Sequence, residues 1–105
     1  MLGVDIVDML RIDIEKTIIS HVLTQSEMAE FSSKHTTTQK KQYFAGRFAA
    51  KEAIFKATQD KDYLQYSILN DESGKPYIKD HPELEVSISH DANIAIAIVQ
   101  SISNT

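Results

Sequence analysis

The chain has 105 residues, of which 42% are hydrophobic and 25% charged, a balance typical of a globular domain rather than a disordered or fibrous chain. The absence of cysteine excludes disulfides, zinc–thiolate sites and thiol nucleophiles, and the net charge of −4 argues against a general nucleic-acid binder. Residues 34–56 are an exception, because this segment is rich in lysine and arginine and contains only one acidic residue, Glu52. This segment is expected either to attract an anion or to form a solvated basic helix edge.

Two features bear on location. The longest aliphatic run, residues 94–99, is far too short to span a bilayer. The N-terminus carries Asp5 and Asp8 and lacks a basic lead, which is not the pattern of a signal peptide. We therefore expect one cytoplasmic domain over residues 1–105, bound to neither a membrane nor a nucleic acid.

Residues 2–7 alternate as a short strand, in which Asp5 shares one face with Gly3 and Val7. Aspartate is disfavoured in strands, so its position between two aliphatic residues needs a reason. Asp5 is expected either to cap the following helix or to be held facing a cation.

Three helices are predicted next. Residues 9–20 show an imperfect helical pattern, and residues 24–31 open with a capping box and form a second short helix. After a polar loop, Thr37 or Thr38 is expected to cap a long helix that ends at about Thr58.

The long helix is apolar nearly all round and is therefore expected to be buried. Alanines recur at every fourth residue and form one face: Ala45, Ala49, Ala53 and Ala57. A second face carries the phenylalanines Phe44, Phe48 and Phe55. Two basic residues, Arg47 and Lys51, form a polar edge on the far side. The alanine stripe predicts close approach by a sheet or another helix. One short sheet has limited surface with which to cover both faces, so a neighbouring subunit is expected to supply the rest.

Glu52 lies between the aromatic and alanine faces of this helix. A carboxylate in such a surface must be paired or bind a metal. One interpretation is a structural ion pair with Lys56, since Glu four residues before Lys is the favoured orientation. The other is a site in which Asp5 and Glu52 hold Mg²⁺ and Lys56 faces a diphosphate, because Mg²⁺ usually takes one or two carboxylates.

The C-terminal half is predicted to form two β-hairpins. Strands are predicted over residues 65–70 and 75–79, joined by a turn that contains Gly74, and over residues 85–90 and 94–99. The predicted order is a strand, three helices and then four strands in two hairpins, which is an α+β fold.

Five stretches in this order resemble the holo-(acyl-carrier-protein) synthases, the small bacterial type of phosphopantetheinyl transferase: residues 3–12, 22–27, 44–57, 70–76 and 86–90, the last followed by Ala95 and Ala97. The stretch over residues 44–57 is similar to the signature helix of that family almost residue for residue. The resemblance implies the phosphopantetheinyl transferase fold. It also implies transfer of 4′-phosphopantetheine from coenzyme A (CoA) to a serine of an apo-acyl carrier protein, in fatty acid biosynthesis.

The resemblance also assigns residues. It implies Asp5, Glu52 and Lys56 as the catalytic residues, with Asp5 and Glu52 as Mg²⁺ ligands and Lys56 at the CoA phosphates. Arg47 and His90 would be further CoA contacts.

The partners follow from the same resemblance. Arg11 would face the acidic recognition helix of the carrier protein. The family is trimeric, with CoA bound in clefts between subunits, so a homotrimer is expected.

The chain departs from the family in three places. A Gly-rich stretch usually follows the signature helix, but residues 58–63 lack glycine; the helix that many members have between the hairpins is reduced to residues 80–84; and acidic Asp13 and Glu15 accompany Arg11. Two alternatives therefore remain: a CoA-binding protein of this fold without catalysis, and an interaction module whose long helix is only core.

Overall fold

The computed structural model describes residues 1–102. Its elements, in chain order, are β1 (Leu2–Asp8), a 3₁₀ turn (Met9–Arg11), α1 (Ile18–Val22), α2 (Gln25–Ser32), α3 (Thr37–Thr58), a second 3₁₀ turn (Tyr63–Gln65), β2 (Ile68–Asn70), β3 (Pro76–Ile78), β4 (Leu84–Asp91) and β5 (Ile94–Ser101). Strands β1, β5 and β4 form an antiparallel sheet with β5 in the middle, and β2 and β3 form a separate hairpin. The predicted α+β order of one strand, three helices and two hairpins is confirmed.

The sheet joins the two ends of the chain. Strand β1 pairs with β5 so that Gly3 lies opposite Val99 and Asp5 lies opposite Ala97. The face of the sheet that packs on α3 includes the small residues Gly3, Ala95 and Ala97, all of them buried. Asp5 lies on the same face as Gly3 and contacts α3 through Lys56.

The alanine stripe of α3 is buried against this sheet, as the spacing predicted. The approach is so close that a Cβ atom built on Gly3 would lie 2.0 Å from the carbonyl oxygen of Ala53 and 2.9 Å from the backbone nitrogen of Ala57. Only glycine fits at position 3, because neither neighbour is a side chain that could move aside.

Gly3→Ala is expected to lower the free energy of unfolding by about 1–3 kcal/mol, the usual cost of overpacking a filled core. Gly46→Ala, in α3, is the matched control, because a Cβ there would meet only Cγ2 of the Ile88 side chain, at 3.0 Å. Alanine also favours a helix interior over glycine by about 1 kcal/mol. Urea denaturation measures both variants, and a Gly3→Ala protein as stable as the parent would contradict this packing.

Two local predictions need correction. The single helix predicted over residues 9–20 is wrong: only a 3₁₀ turn follows β1, and α1 begins at Ile18. The side chain of Asp13 accepts a hydrogen bond from the backbone N–H of Glu15, and such local bonds compete with helix formation. Helix α3 is capped by Thr36 rather than by Thr37 or Thr38.

The reason for the earlier cap is a capping box with Gln39. Thr36 Oγ1 accepts a hydrogen bond from the Gln39 N–H (3.0 Å), and Gln39 Oε1 accepts one from the Thr36 N–H (3.2 Å). The capping box predicted for α2 is confirmed, with Thr24 as the cap and Glu27 as its partner.

The polar edge predicted at Arg47 and Lys51 is also wrong, since both side chains are buried. Lys51 Nζ donates hydrogen bonds to Glu27 Oε1 (2.7 Å) and to the carbonyl oxygens of Val22 (2.8 Å) and Tyr63 (2.8 Å). Burial lowers the pKa of Lys51, and the Glu27 carboxylate opposes this shift. The pair holds α1, α2 and the second 3₁₀ turn against α3.

The helix obtains most of its cover within one chain. Its alanine stripe and Phe44 are buried among the described residues, whereas Phe48 and Phe55 are only partly buried, so the expectation that a neighbouring subunit covers part of this helix stays a prediction. Among residues 1–102, none of the helices combines the length and the hydrophobicity of a membrane-spanning segment. The single domain predicted over residues 1–105 stays a prediction, and residues 103–105 lie outside the described residues.

Candidate active site

A cleft of about 420 Å³ lies between β1, the segment that follows it and α3. Three of the predicted site residues, Asp5, Glu52 and Arg11, line this cleft. Phe44 and Phe48 form its apolar wall. Strand β1 and helix α3 thus bring the two carboxylates singled out from the sequence into one opening, although they lie far apart along the chain.

Asp5 is paired with Lys56. Lys56 Nζ donates hydrogen bonds to Asp5 Oδ1 (3.0 Å) and to the carbonyl oxygen of Val4 (3.1 Å). The ion pair proposed between Glu52 and Lys56 is therefore replaced by one that joins the helix to the sheet. Asp5 is not a helix cap either, because Asp8 accepts the capping bond of the first 3₁₀ turn.

Glu52 is held by a tyrosine. The Tyr63 hydroxyl donates a hydrogen bond to Glu52 Oε1. Burial raises the pKa of Tyr63, and the hydrogen bond and charge of Glu52 add to the shift, so the hydroxyl remains a donor at neutral pH. Tyr63 was not among the residues singled out from the sequence; its one signal is an aromatic residue within the polar segment 58–63.

The donor set at this cleft fits Mg²⁺. Each carboxylate is held through one oxygen, Asp5 Oδ1 and Glu52 Oε1. Within residues 1–102, no hydrogen bond reaches the second oxygen of either group, and no cluster of three or more metal-ligating side chains occurs. Two carboxylates suit Mg²⁺, which completes its octahedron with water and phosphate oxygens, better than they suit Zn²⁺ or Ca²⁺, which take more protein ligands.

Arg47 lies outside this cleft and is engaged by the protein itself. Its guanidinium donates hydrogen bonds to the carbonyl oxygen of Ile68 (2.9 Å) and to Asn70 Oδ1 (2.9 Å), forms an ion pair with Glu30 (3.3 Å) and packs over the ring of Tyr43. These contacts fasten the β2–β3 hairpin to α3. A role of Arg47 in CoA binding stays a prediction.

His90 lines a second cleft of about 420 Å³ together with Arg47, Lys34 and His35. The structure thus brings Arg47 and His90 together, but in a cleft whose lining residues differ from those of the cleft that holds Asp5 and Glu52. Of the three predicted CoA contacts, Lys56 is the one that contacts a carboxylate of the first cleft, through its ion pair with Asp5.

Arg11 stands at the rim of the first cleft. Its side chain is 87% exposed, and its Nε lies 3.8 Å from Asp8 Oδ2. Leu10 beside it is also exposed. A basic and an apolar side chain are therefore available together to a macromolecular partner.

Comparison with known proteins decides the family. The model of the 4′-phosphopantetheinyl transferase superfamily matches residues 1–99. This chain belongs to that superfamily. The identification made from the sequence motifs is confirmed.

Relatives within the superfamily match nearly the whole chain. The holo-(acyl-carrier-protein) synthase of Lactococcus lactis subsp. cremoris (strain SK11) is 37% identical over 109 residues, which cover 92% of this chain and 92% of that protein. The synthase of Mycoplasma mycoides subsp. mycoides SC is 38% identical over 98 residues, which cover 91% of this chain and 88% of that protein.

Solved structures of the superfamily share the fold. The holo-(acyl-carrier-protein) synthase of Bacillus anthracis str. Ames, in complex with CoA (3′,5′-ADP), has a TM-score of 0.81 at 30% identity, covering 93% of this chain and 91% of that one. The synthase of Helicobacter pylori, in complex with coenzyme A, has a TM-score of 0.78 at 30% identity, covering 96% and 99%. The predicted phosphopantetheinyl transferase fold is thereby confirmed.

Proposed function

We propose that this chain is a holo-(acyl-carrier-protein) synthase, which transfers the 4′-phosphopantetheine group of CoA to a serine of an apo-acyl carrier protein. One observation carries the proposal: in a chain that matches the superfamily over residues 1–99, Asp5 and Glu52 line one cleft and Lys56 pairs with Asp5. In this proposal the reaction belongs to fatty acid biosynthesis in the cytoplasm.

The chemistry is a displacement at phosphorus. The serine oxygen forms a bond to the phosphorus that bears the pantetheine arm, and the bond from that phosphorus to the bridging diphosphate oxygen breaks. Adenosine 3′,5′-bisphosphate leaves with the bonding electrons, and the serine proton passes to water.

The chain's own groups would bind and orient the diphosphate. Asp5 and Glu52 would hold Mg²⁺, which when bound supplies a Lewis acid that offsets negative charge on phosphate oxygens. Lys56 is half exposed and close to Asp5, so its ammonium group is placed to bind a phosphate as a point charge. The apolar wall of Phe44 and Phe48 would limit the access of water from one side.

The transfer is tested by mass. The protein is incubated with CoA, Mg²⁺ and an apo-acyl carrier protein, and the carrier is then weighed. The expected result is a gain of one phosphopantetheine group. CoA binding without a mass gain would support the non-catalytic CoA-binding alternative, and neither binding nor gain would support an interaction module.

We further propose that the working unit is a homotrimer that forms through the outer face of the sheet. This face is apolar and exposed along two neighbouring strands, at Leu2, Val4, Ile6, Ile94, Ile96 and Ile98. In the pairing of β1 with β5, Val4 lies opposite Ile98 and Ile6 lies opposite Ile96, so the side chains form one continuous patch. Continuous apolar patches on soluble proteins mark interaction surfaces, and the number three comes from the family resemblance.

Ile96→Lys is expected to dissociate the assembly, because a buried ammonium group without a partner is costly in an apolar interface. Light scattering should give three times the 11.8 kDa chain mass for the parent and a smaller mass for the variant. Leu64→Lys is the matched control, since Leu64 is an exposed aliphatic residue outside the sheet. An active monomeric parent would contradict the trimer.

Arg11→Glu is expected to raise the KM for the carrier protein about tenfold and to leave CoA affinity unchanged, because a reversed charge at the rim repels an acidic partner. The effect should shrink at high salt, since exposed charges are screened. Lys79→Glu, which reverses an exposed charge just after β3, is the control. An unchanged KM for the carrier would show that the carrier docks on another surface. The acidic residues Asp13 and Glu15 near Arg11 would then disfavour an acidic partner at this rim.

A further inference from the structure

Tyr63 contacts a carboxylate of the first cleft, yet the proposed chemistry gives it no role. Its hydroxyl donates a hydrogen bond to Glu52 Oε1. Its ring meets the edge of Phe48 at a centroid distance of 6.3 Å and an interplanar angle of 79°, and Phe48 in turn stacks on Phe44 at 5.7 Å. The side chain is therefore held by an aromatic cluster on one side and by a carboxylate on the other.

The backbone of Tyr63 is fixed as well. Its carbonyl oxygen accepts a hydrogen bond from Lys51 Nζ (2.8 Å), and Lys51 forms a fully buried ion pair with Glu27. Lys51 directly precedes Glu52 on α3. The same turn of the helix thus anchors the main chain of Tyr63 and receives its hydroxyl, which leaves the tyrosine little freedom to move.

A glutamate that binds a cation must lose the rotation of its side chain, and a partner that restrains it beforehand lowers that cost. Hydrogen-bonding partners of metal ligands commonly change metal affinity about 10- to 100-fold. The Tyr63 hydroxyl occupies Oε1 of Glu52, and within residues 1–102 no hydrogen bond reaches Oε2. The carboxylate is therefore oriented through one oxygen, and its other oxygen is available to a cation.

We propose that Tyr63 is a positioning residue, which orients Glu52 for the divalent cation through its hydroxyl. The inference rests on the proposed function, in which Glu52 is a cation ligand. It differs from a packing role, because the ring alone would satisfy the contact with Phe48.

Tyr63→Phe separates these roles, since it keeps the ring and removes the hydroxyl. Mn²⁺ serves as the probe, and its binding to the protein–CoA mixture is followed by the loss of the free-ion electron paramagnetic resonance signal. We expect Tyr63→Phe to bind Mn²⁺ about tenfold more weakly or worse, with transfer activity recovered at excess Mn²⁺.

Tyr66→Phe is the matched control. Its hydroxyl also donates to a carboxylate, Asp60 Oδ2 at 2.8 Å, and neither residue lines the cleft. Its Mn²⁺ affinity should equal that of the parent. Melting temperatures of the two variants, which lose the same kind of bond, should fall by similar amounts.

The outcomes separate the inference from the function on which it rests. Parent-like Mn²⁺ binding by Tyr63→Phe overturns the positioning role, most plainly if its melting temperature falls well below that of Tyr66→Phe. If Glu52→Gln loses Mn²⁺ binding while Tyr63→Phe keeps it, only this inference fails. If Glu52→Gln itself binds Mn²⁺ like the parent, the assignment of Glu52 as a cation ligand fails, and the inference fails with it.

Discussion

Glu52→Gln and Asp5→Asn are each expected to reduce phosphopantetheine transfer about 10³-fold or more, which corresponds to about 4 kcal/mol of lost transition-state stabilisation. Each substitution keeps the size of the side chain and removes one of the two negative charges at the cleft. Both variants should fold, because an amide oxygen can accept the same hydrogen bond as the carboxylate oxygen it replaces. In Glu52→Gln that bond comes from Tyr63, and in Asp5→Asn it comes from Lys56.

Transfer is measured by the mass of the carrier over a range of Mg²⁺ concentrations, and the melting temperature of each variant is recorded alongside. Glu72→Gln is the control, since it removes one negative charge from the exposed turn between β2 and β3. It should transfer at the parent rate. Near-normal turnover by Glu52→Gln or Asp5→Asn at ordinary Mg²⁺ would contradict the assignment of the two carboxylates.

Lys51→Met is expected to lower the free energy of unfolding by about 3–5 kcal/mol, the usual cost of removing one partner of a buried ion pair. The methionine fills most of the space but leaves the Glu27 charge buried without its cation. It also removes the donor that satisfies the carbonyl oxygens of Val22 and Tyr63.

Urea denaturation measures this loss, with Lys41→Met on the same helix, outside the buried pair, as the control. A second variant, Lys51→Met combined with Glu27→Gln, should lose less stability than the sum of the two single changes, because it leaves no unpaired charge. A Lys51→Met protein within about 1 kcal/mol of the parent would contradict a structural role for the pair.

The order of the helices and strands could be predicted from the sequence. Strands and helices differ in the period of their apolar residues, and this period is a local property. The alanines of α3 predicted the close packing that Gly3 completes against Ala53. The helix predicted over residues 9–20 failed because the local hydrogen bond of Asp13 competed with a weak periodicity.

The sequence also singled out the two carboxylates of the candidate site. Asp5 and Glu52 stood out because each is a charged residue between apolar neighbours. Burying a charge is costly unless it is paired, whichever group the partner is. Both residues line the same cleft. The identity of their partners could not be predicted in the same way.

Those partners were decided by the tertiary structure. Lys56 lies one turn from Glu52 on the helix, yet it pairs with Asp5, which is 51 residues away in sequence. Glu52 instead receives Tyr63, and Lys51 is buried with Glu27 rather than exposed at a helix edge. Helical periodicity states which side chains share a face, but the strand, turn or helix that packs on that face is set by contacts between distant parts of the chain.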